Sequence, residues 1–203
     1  MKLYTLPGAC SLAPHIALEW IGKPYEAEIV ARDALKSSYL RINPAGSVPA
    51  LELDDGDVLT QNVAILEYLA DSNPEAGLIG STLRERAETL RWLAHINSDV
   101  HKWFAPIFGP GQYADDEAGQ ALVQSKAKQV LRGLYEALDT HLKGREWLAN
   151  DRRSIADPYL FVTLRWARGK GVDLSGLDNL ARFMDRMRAD AGVQAAMKAE
   201  GLA

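Results

Sequence analysis

The first 75 residues alternate short apolar runs with turn-forming residues, and this pattern predicts a small mixed β-sheet flanked by helices. Residues 2–6 ("KLYTL") are predicted to form a strand that Pro7-Gly8 ends, and residues 25–31 ("YEAEIVA") a second strand. Between them, apolar residues recur at helical spacing, and Gly22 is a suitable helix stop. A strand–helix–strand order favours a parallel pair of strands.

A β-hairpin and a second helix are predicted next along the chain. Residues 48–53 ("VPALEL") and 57–60 ("DVLT") flank an Asp-Asp-Gly turn, which is typical of an antiparallel hairpin. Residues 62–73 have helical spacing and end before Pro74. We therefore expect a four-stranded mixed sheet with helices in this part of the chain.

From residue 82 onward the strand signals disappear, and long amphipathic segments predict an all-helical second domain. Residues 73–82 ("NPEAGLIGST") are rich in turn formers and are predicted to be the linker. We expect one domain at residues 1–77 and an all-α domain at residues 83–203.

The amino-acid composition limits the kinds of molecule that the protein is expected to bind and the cellular location that is expected for it. The 203 residues are 47% hydrophobic and 25% charged, with a net charge of −4, as in ordinary globular proteins. The sequence lacks the basic stripe with interleaved aromatic residues that is typical of nucleic acid binding. No apolar run approaches the roughly 20 residues of a membrane span. One cysteine forms no internal disulfide, which favours a cytoplasmic location. The four histidines lack metal-ligand spacing, so no metal is expected.

The single cysteine, Cys10, lies where the first predicted strand turns into a helix. Free backbone N–H groups and the helix dipole at such a position lower the pKa of a thiol. The alternative is a buried cysteine that packs as a small hydrophobic residue. Ala13 stands where a C-x-x-C motif has its second cysteine. A disulfide made by Cys10 would therefore join it to another molecule, most simply a small thiol.

Val48 and Pro49 form a second candidate element. In a thioredoxin-like sheet, a cis proline at this position leaves the Val48 backbone N–H and C=O free to pair with an extended, peptide-like ligand. The alternative is an ordinary trans proline at the start of a strand.

The start of the second helix is a third candidate. Thr60, Gln61 and Asn62 are polar, and Asn62 is a good N-cap. Such a helix start binds carboxylates readily, although plain capping explains the same residues equally well.

Asn97, Ser98 and His101 form a fourth candidate. Their spacing places all three on one flank of a helix, where they are able to face a ligand held by the first domain. The alternative is a partly exposed polar stripe. Ser154 and Asp157 match a capping box, with Ser154 as the N-cap, and are interpreted as structural.

Four segments in this order resemble the cytosolic glutathione transferases of the bacterial beta class. They are residues 1–18, 42–71, 98–108 ("SDVHKWFAPIF") and 154–167 ("SIADPYLFVTLRWA"). The resemblance implies a thioredoxin-like N-terminal domain, an all-α C-terminal domain that contributes the electrophile site, and a homodimer. It also implies conjugation of glutathione to electrophilic small molecules, together with reduction of mixed disulfides.

The resemblance also assigns residues. Cys10 contacts the glutathione sulfur and is able to form a mixed disulfide with it, and His101 lies close to this cysteine. Val48, before a cis Pro49, pairs with the cysteinyl backbone. The remaining glutathione-binding positions are Gln61 and Asn62 for the γ-glutamyl group, Lys36 for the glycyl carboxylate, and Ser98.

Two departures from the class pattern are visible. Many relatives have an acidic residue at the position of Gln61, so affinity for the γ-glutamyl ammonium is expected to differ. An asparagine common in the class aligns with Ala94, and Asn97 is the candidate replacement.

Two other functions remain open at this point. One is a glutaredoxin-like thiol–disulfide reductase, and the other is a non-enzymatic binding or regulatory module on the same fold. A cluster of aromatic residues either lines an apolar acceptor pocket or belongs to the core. Its members are Trp103, Phe104, Phe108 and Trp166.

Overall fold

The computed structural model describes residues 1–202, and it begins with a four-stranded mixed sheet. The strand order is β2-β1-β3-β4, with β1 parallel to β2 and antiparallel to β3, and β3 antiparallel to β4. The predicted strands and hairpin are confirmed, with slightly shorter bounds. The strands are β1 (Lys2–Thr5), β2 (Glu26–Ile29), β3 (Ala50–Glu52) and β4 (Val58–Thr60).

Two helices complete this part of the fold. Helix α1 (Leu12–Ile21) ends at Gly22, whose φ of 72° is readily adopted by glycine, as the sequence predicted. Helix α2 (Asn62–Asp71) begins at Asn62, as the helical spacing predicted, and ends two residues earlier than expected. Gln61, with a φ of 74°, occupies the N-cap position, so the prediction of Asn62 as N-cap is wrong.

The rest of the described chain is helical, and the expected fold class is confirmed: a thioredoxin-like part followed by an all-α part. A π-helical turn (Ile96–Val100) and a 3-10 turn (His101–Phe104) interrupt the long helical stretch after residue 82. The helices are α3 (Leu83–His95), α4 (Ala105–Phe108), α5 (Glu117–His141), α6 (Ala156–Gly169), α7 (Asp178–Ala189) and α8 (Ala191–Ala199).

Helix α1 packs against α2, α6 and α8, so one hydrophobic core joins the sheet to the helical part. Leu12 and Ile16 are completely buried in it, and each contributes about 1.5–3 kcal/mol by burial. This packing fixes the loop between β1 and α1 from both sides.

The start of α6 is stabilised by Asp157, but not with the geometry that the capping box predicted. The Asp157 carboxylate accepts hydrogen bonds from the Ser154 N–H (2.7 Å), the Ser154 hydroxyl (2.9 Å) and the Leu148 N–H (3.0 Å). Because the helix begins at Ala156, Ser154 lies before the N-cap. Burial raises the pKa of Asp157 to about 6.

Within residues 1–202, no helix combines the length and apolar character required to cross a bilayer. The same residues contain no group of three or more His, Cys, Asp or Glu side chains arranged to hold a metal ion.

Candidate active site

Cys10 lies in the loop between β1 and α1, and it contacts two elements that are distant in the sequence. Its thiol donates a hydrogen bond to the Val48 carbonyl oxygen, with a sulfur–oxygen distance of 3.3 Å. The Asn62 Nδ2 group donates to the Cys10 carbonyl oxygen at 3.0 Å. The structure therefore brings Cys10, Val48 and Asn62 together, as the candidate elements required.

The Val48–Pro49 peptide bond is cis, which agrees with the expectation for a thioredoxin-like sheet. Among residues 1–202, the Val48 N–H has no hydrogen-bond partner, while its carbonyl accepts the Cys10 thiol. The prediction that both Val48 groups are free is thus correct for the N–H and wrong for the carbonyl.

The expected lowering of the Cys10 pKa is wrong for the thiol in this structure. Burial in a poorly hydrated environment raises the pKa of Cys10 to about 11, although nearby backbone N–H groups oppose this shift. The hydrogen bond to Val48 also favours the protonated form, because only a thiol can donate it. Desolvation therefore outweighs the helix N-terminus, and Cys10 is a neutral hydrogen-bond donor.

His101 forms a hydrogen-bonded pair with Tyr159. Its Nδ1 atom lies 2.5 Å from the Tyr159 hydroxyl, and that hydroxyl donates to Asn97 Oδ1 at 3.1 Å. Assigning the single phenolic proton to Asn97 makes the Tyr159 oxygen the acceptor for His101 Nδ1–H, and in this tautomer Nε2 is an acceptor. Burial lowers the pKa of His101, which further favours the neutral ring.

Ser98 does not join Asn97 and His101 in their contact with Tyr159. It is exposed, and its hydroxyl bonds to the Ala94 carbonyl at 2.8 Å and to Asp99 at 3.2 Å. The π-helical turn alters the angle between successive side chains, so the regular spacing assumed from the sequence does not hold. Asn97 and His101 meet at Tyr159, and Ser98 bonds locally.

A buried carboxylate lies beneath the cysteine loop. Glu200 accepts hydrogen bonds from the Thr5 hydroxyl (2.7 Å), the Gly8 N–H (3.0 Å) and His15 Nδ1 (2.9 Å). Thr5 Oγ1 and Ser11 Oγ are also hydrogen-bonded at 2.8 Å. The end of the described chain therefore holds both sides of the loop that carries Cys10.

Three of the four candidate aromatic residues form one cluster beside His101. The Trp166 ring lies 4.9 Å from that of His101 and 5.2–5.4 Å from those of Phe104 and Phe108, measured between centroids. Trp166 Nε1 donates to the Gly8 carbonyl oxygen at 2.7 Å, which joins the cluster to the cysteine loop. Phe104 is buried and Phe108 is 48% exposed, whereas Trp103 packs against the main core.

Comparison with known proteins identifies the family. Residues 8–72 match the model "Glutathione S-transferase, N-terminal domain", and residues 96–190 match "Glutathione S-transferase, C-terminal domain". A glutathione S-transferase of Xanthomonas campestris pv. campestris is 54% identical over the full length of both chains. This chain belongs to the glutathione S-transferase family.

Solved structures of glutathione S-transferases share the fold over the whole chain. The Xylella fastidiosa structure has 52% identity and a TM-score of 0.96, covering 100% of this chain and 99% of that one. A sphingomonad glutathione S-transferase complexed with glutathione has 41% identity and a TM-score of 0.89, with both chains fully covered. The chain is an enzyme of this family.

The two remaining residues expected at the glutathione site of this transferase are exposed. Gln61 precedes the first turn of α2, and Lys36 ends a short 3-10 turn (Ala34–Lys36). The Lys36 side chain forms no hydrogen bond or ion pair with another residue in the described part of the chain.

Sequence reasoning missed Tyr159 and Glu200. Both are polar side chains within predicted helical segments, and both are almost completely buried. The available signal for Tyr159 was its place in an otherwise apolar run, since a buried tyrosine hydroxyl usually requires a partner. No comparable signal marked Glu200, whose partners lie almost 200 residues away.

Proposed function

We propose that this transferase binds glutathione in an extended conformation along Val48, with the glutathione thiol beside Cys10, and conjugates it to electrophilic small molecules. One observation carries the proposal: the Cys10 sulfur lies 3.3 Å from the Val48 carbonyl, next to a Val48 N–H that has no partner among the described residues. A peptide backbone is a suitable ligand for that N–H.

The two ends of glutathione are assigned to polar groups on either side. The γ-glutamyl group lies at the start of α2, where Gln61 is exposed and the first backbone N–H groups are free of intrahelical bonds. Asn62 Oδ1 is buried there without a hydrogen-bond partner among residues 1–202, and is able to accept from the ligand. Lys36 reaches the glycyl carboxylate, and Ser98 lies at the edge of the site.

Cys10 and His101 have different tasks in the conjugation. The protonated Cys10 donates a hydrogen bond to the glutathione sulfur in place of the one that it gives to Val48. His101 Nε2, kept free of a proton by Tyr159, accepts the proton that glutathione loses. The resulting thiolate attacks an electrophilic carbon, a carbon–sulfur bond forms, and the leaving group departs with its electron pair.

The aromatic cluster supplies the acceptor pocket. Phe108 is half-exposed, and the ring of Trp166 lies between the phenylalanines and His101, so a flat apolar electrophile is able to stack there.

The same site residues bear on the class of glutathione transferase and on its oligomeric state. Cys10 and the motifs around it favour the bacterial beta class, with residues 1–77 as the glutathione-binding domain and residues 83–203 contributing the electrophile site. By the same resemblance, the protein is a homodimer. Its single cysteine, charge pattern and histidine spacing favour a cytoplasmic protein that binds no metal, nucleic acid or membrane.

Reduction of mixed disulfides is a second candidate, because Cys10 is a free cysteine in a partly exposed residue position beside the proposed glutathione thiol. In that reaction the Cys10 thiolate attacks a disulfide and releases one thiol, and glutathione then resolves the new disulfide. The raised pKa of Cys10 predicts that this route is slow at neutral pH.

Two substitutions separate these roles. Cys10→Ser keeps a hydrogen-bond donor, and we expect it to conjugate aryl halides within a few-fold of the wild-type rate. Cys10→Ala removes the donor and is expected to lower that rate about tenfold, the effect of one hydrogen bond to a charged group. Both variants should lose disulfide reduction. If Cys10→Ala keeps both activities, the assignment of Cys10 is wrong.

A non-enzymatic module is tested separately by calorimetry. The proposed site binds glutathione at or below millimolar concentration, whereas absence of binding at millimolar glutathione would favour a module that uses the fold for other contacts.

A further inference from the structure

A second cavity opens between α6, α7 and the loop of residues 170–177 that joins them. Its volume is about 360 Å³, which lies in the range of cavities that hold small organic ligands. Most of the residues that line this cavity have apolar side chains, and five of these are buried. The aliphatic side chains are Leu164, Val172, Leu174, Leu177, Leu180 and Met184.

This cavity is distinct from the candidate active site. Trp166 points toward the cysteine loop, because its indole N–H bonds to the Gly8 carbonyl. Leu164 and Arg168, which line the cavity, are each two residues from Trp166. Two residues correspond to about 200° around an α-helix, so these side chains lie on the opposite side of α6.

The polar part of the wall carries more positive than negative charge. Arg168 and Arg188 both line the cavity, together with one carboxylate, Asp185. Asp185 lies 3.7 Å from the Arg188 guanidinium, which is too long for a good hydrogen bond. Among residues 1–202, no carboxylate forms an ion pair with Arg168. Its five N–H donors are thus available to an anion at an apolar cavity.

We propose that this cavity binds a medium-chain aliphatic monocarboxylate, with the hydrocarbon chain inside and the carboxylate on Arg168. A guanidinium matches a carboxylate with two parallel hydrogen bonds, and Arg188 adds a second positive charge. The aliphatic wall offers no partner to a polar chain, and the two arginines select an anion over a neutral or cationic head group. The established transferase chemistry does not require this site.

The direct test is calorimetric titration of the intact protein with hexanoate, octanoate and decanoate. Affinity is expected to rise about fourfold with each buried methylene until the cavity is full. Octanamide, which has the same chain without the charge, should bind at least about tenfold more weakly than octanoate. Saturating glutathione should leave octanoate binding unchanged, because the two sites lie on opposite sides of α6.

Three variants locate the binding. Arg168→Gln should weaken octanoate binding about tenfold or more, and Ala181→Leu should fill the cavity from an exposed lining position and weaken it similarly. Arg182→Gln is the matched control, because Arg182 is exposed on α7 next to Ala181, bonds to Asn179 and does not line the cavity. It should bind octanoate like the wild type.

Three results would overturn the proposal. One is the absence of octanoate binding at millimolar concentration. The second is equal affinity for octanamide and octanoate. The third is octanoate binding that glutathione abolishes and that Arg168→Gln and Ala181→Leu leave intact, because this would place the fatty acid in the active site.

Discussion

His101 Nδ1 and the Tyr159 hydroxyl are 2.5 Å apart, and the same hydroxyl donates to Asn97 Oδ1. Tyr159 thereby connects α6 to the π-helical turn and sets which nitrogen of His101 is able to accept a proton. This contact is the basis for assigning His101 Nε2 as the proton acceptor in the proposed conjugation.

Replacing Tyr159 with Phe removes both hydrogen bonds without changing the shape of the core. We expect kcat for aryl halide conjugation to fall about tenfold, because His101 then lacks a fixed proton position, while KM for glutathione changes little. The free energy of unfolding should fall by about 1–3 kcal/mol, since buried partners lose a hydrogen bond. Steady-state kinetics and urea denaturation measure the two effects.

Tyr135→Phe is the matched control for that substitution. Tyr135 is also fully buried, but its hydroxyl has no hydrogen-bond partner among residues 1–202. Removal of the Tyr135 hydroxyl should leave kcat for conjugation unchanged. Equal losses in the two variants would mean that the Tyr159 hydroxyl acts only by filling space.

The protonation state of Cys10 is measurable directly, because the chain has one cysteine. The rate of alkylation by iodoacetamide should rise with pH through a midpoint near 11 in the ligand-free protein, since burial raises the pKa of the thiol. Free glutathione serves as the reference thiol. A midpoint below pH 8 would show that the helix N-terminus outweighs desolvation.

Glu200 is expected to support activity from beneath the site. Glu200→Ala leaves the Thr5 hydroxyl, the Gly8 N–H and His15 without their acceptor, so the free energy of unfolding should fall by about 3–5 kcal/mol. The conjugation rate should fall too, because Gly8 belongs to the cysteine loop. Lys198→Ala, an exposed change two residues before Glu200 in the last turn of α8, should alter neither quantity.

Asp157 makes stability depend on pH in a defined direction. Its pKa is about 6 when folded and near 3.8 when unfolded, so the folded state binds more protons between these values. Its stabilising contribution is complete below the unfolded pKa and is lost as pH rises through 6. Relative to Asp157→Asn, the wild type should lose up to about 3 kcal/mol between pH 3.5 and 7. A pH-independent difference would exclude this assignment.

Much of the fold follows from local signals in the sequence. The strand Lys2–Thr5, the stop at Gly22 and the hairpin before Thr60 depend on neighbouring residues, so short-range pattern is enough to predict them. The strand–turn–helix position of Cys10 and the restricted Val-Pro step were also predictable from local sequence, but only the family resemblance placed the two at one site.

The remaining features depend on distant packing. The Cys10 pKa is set by how completely the folded chain buries the thiol, which the sequence around Cys10 does not determine. The π-helical turn moves Ser98 away from Asn97 and His101, although their spacing predicted a shared flank. Glu200 joins Thr5 across 195 positions, and only the packing of α8 on α1 brings them together.

The most direct test of the central claim is a crystal structure of this protein with glutathione. We predict that the Val48 backbone pairs with the cysteinyl unit, that the γ-glutamyl group lies at Gln61 and Asn62, and that the glutathione sulfur contacts Cys10. Glutathione bound with its sulfur against another side chain, or away from Val48, would contradict the account.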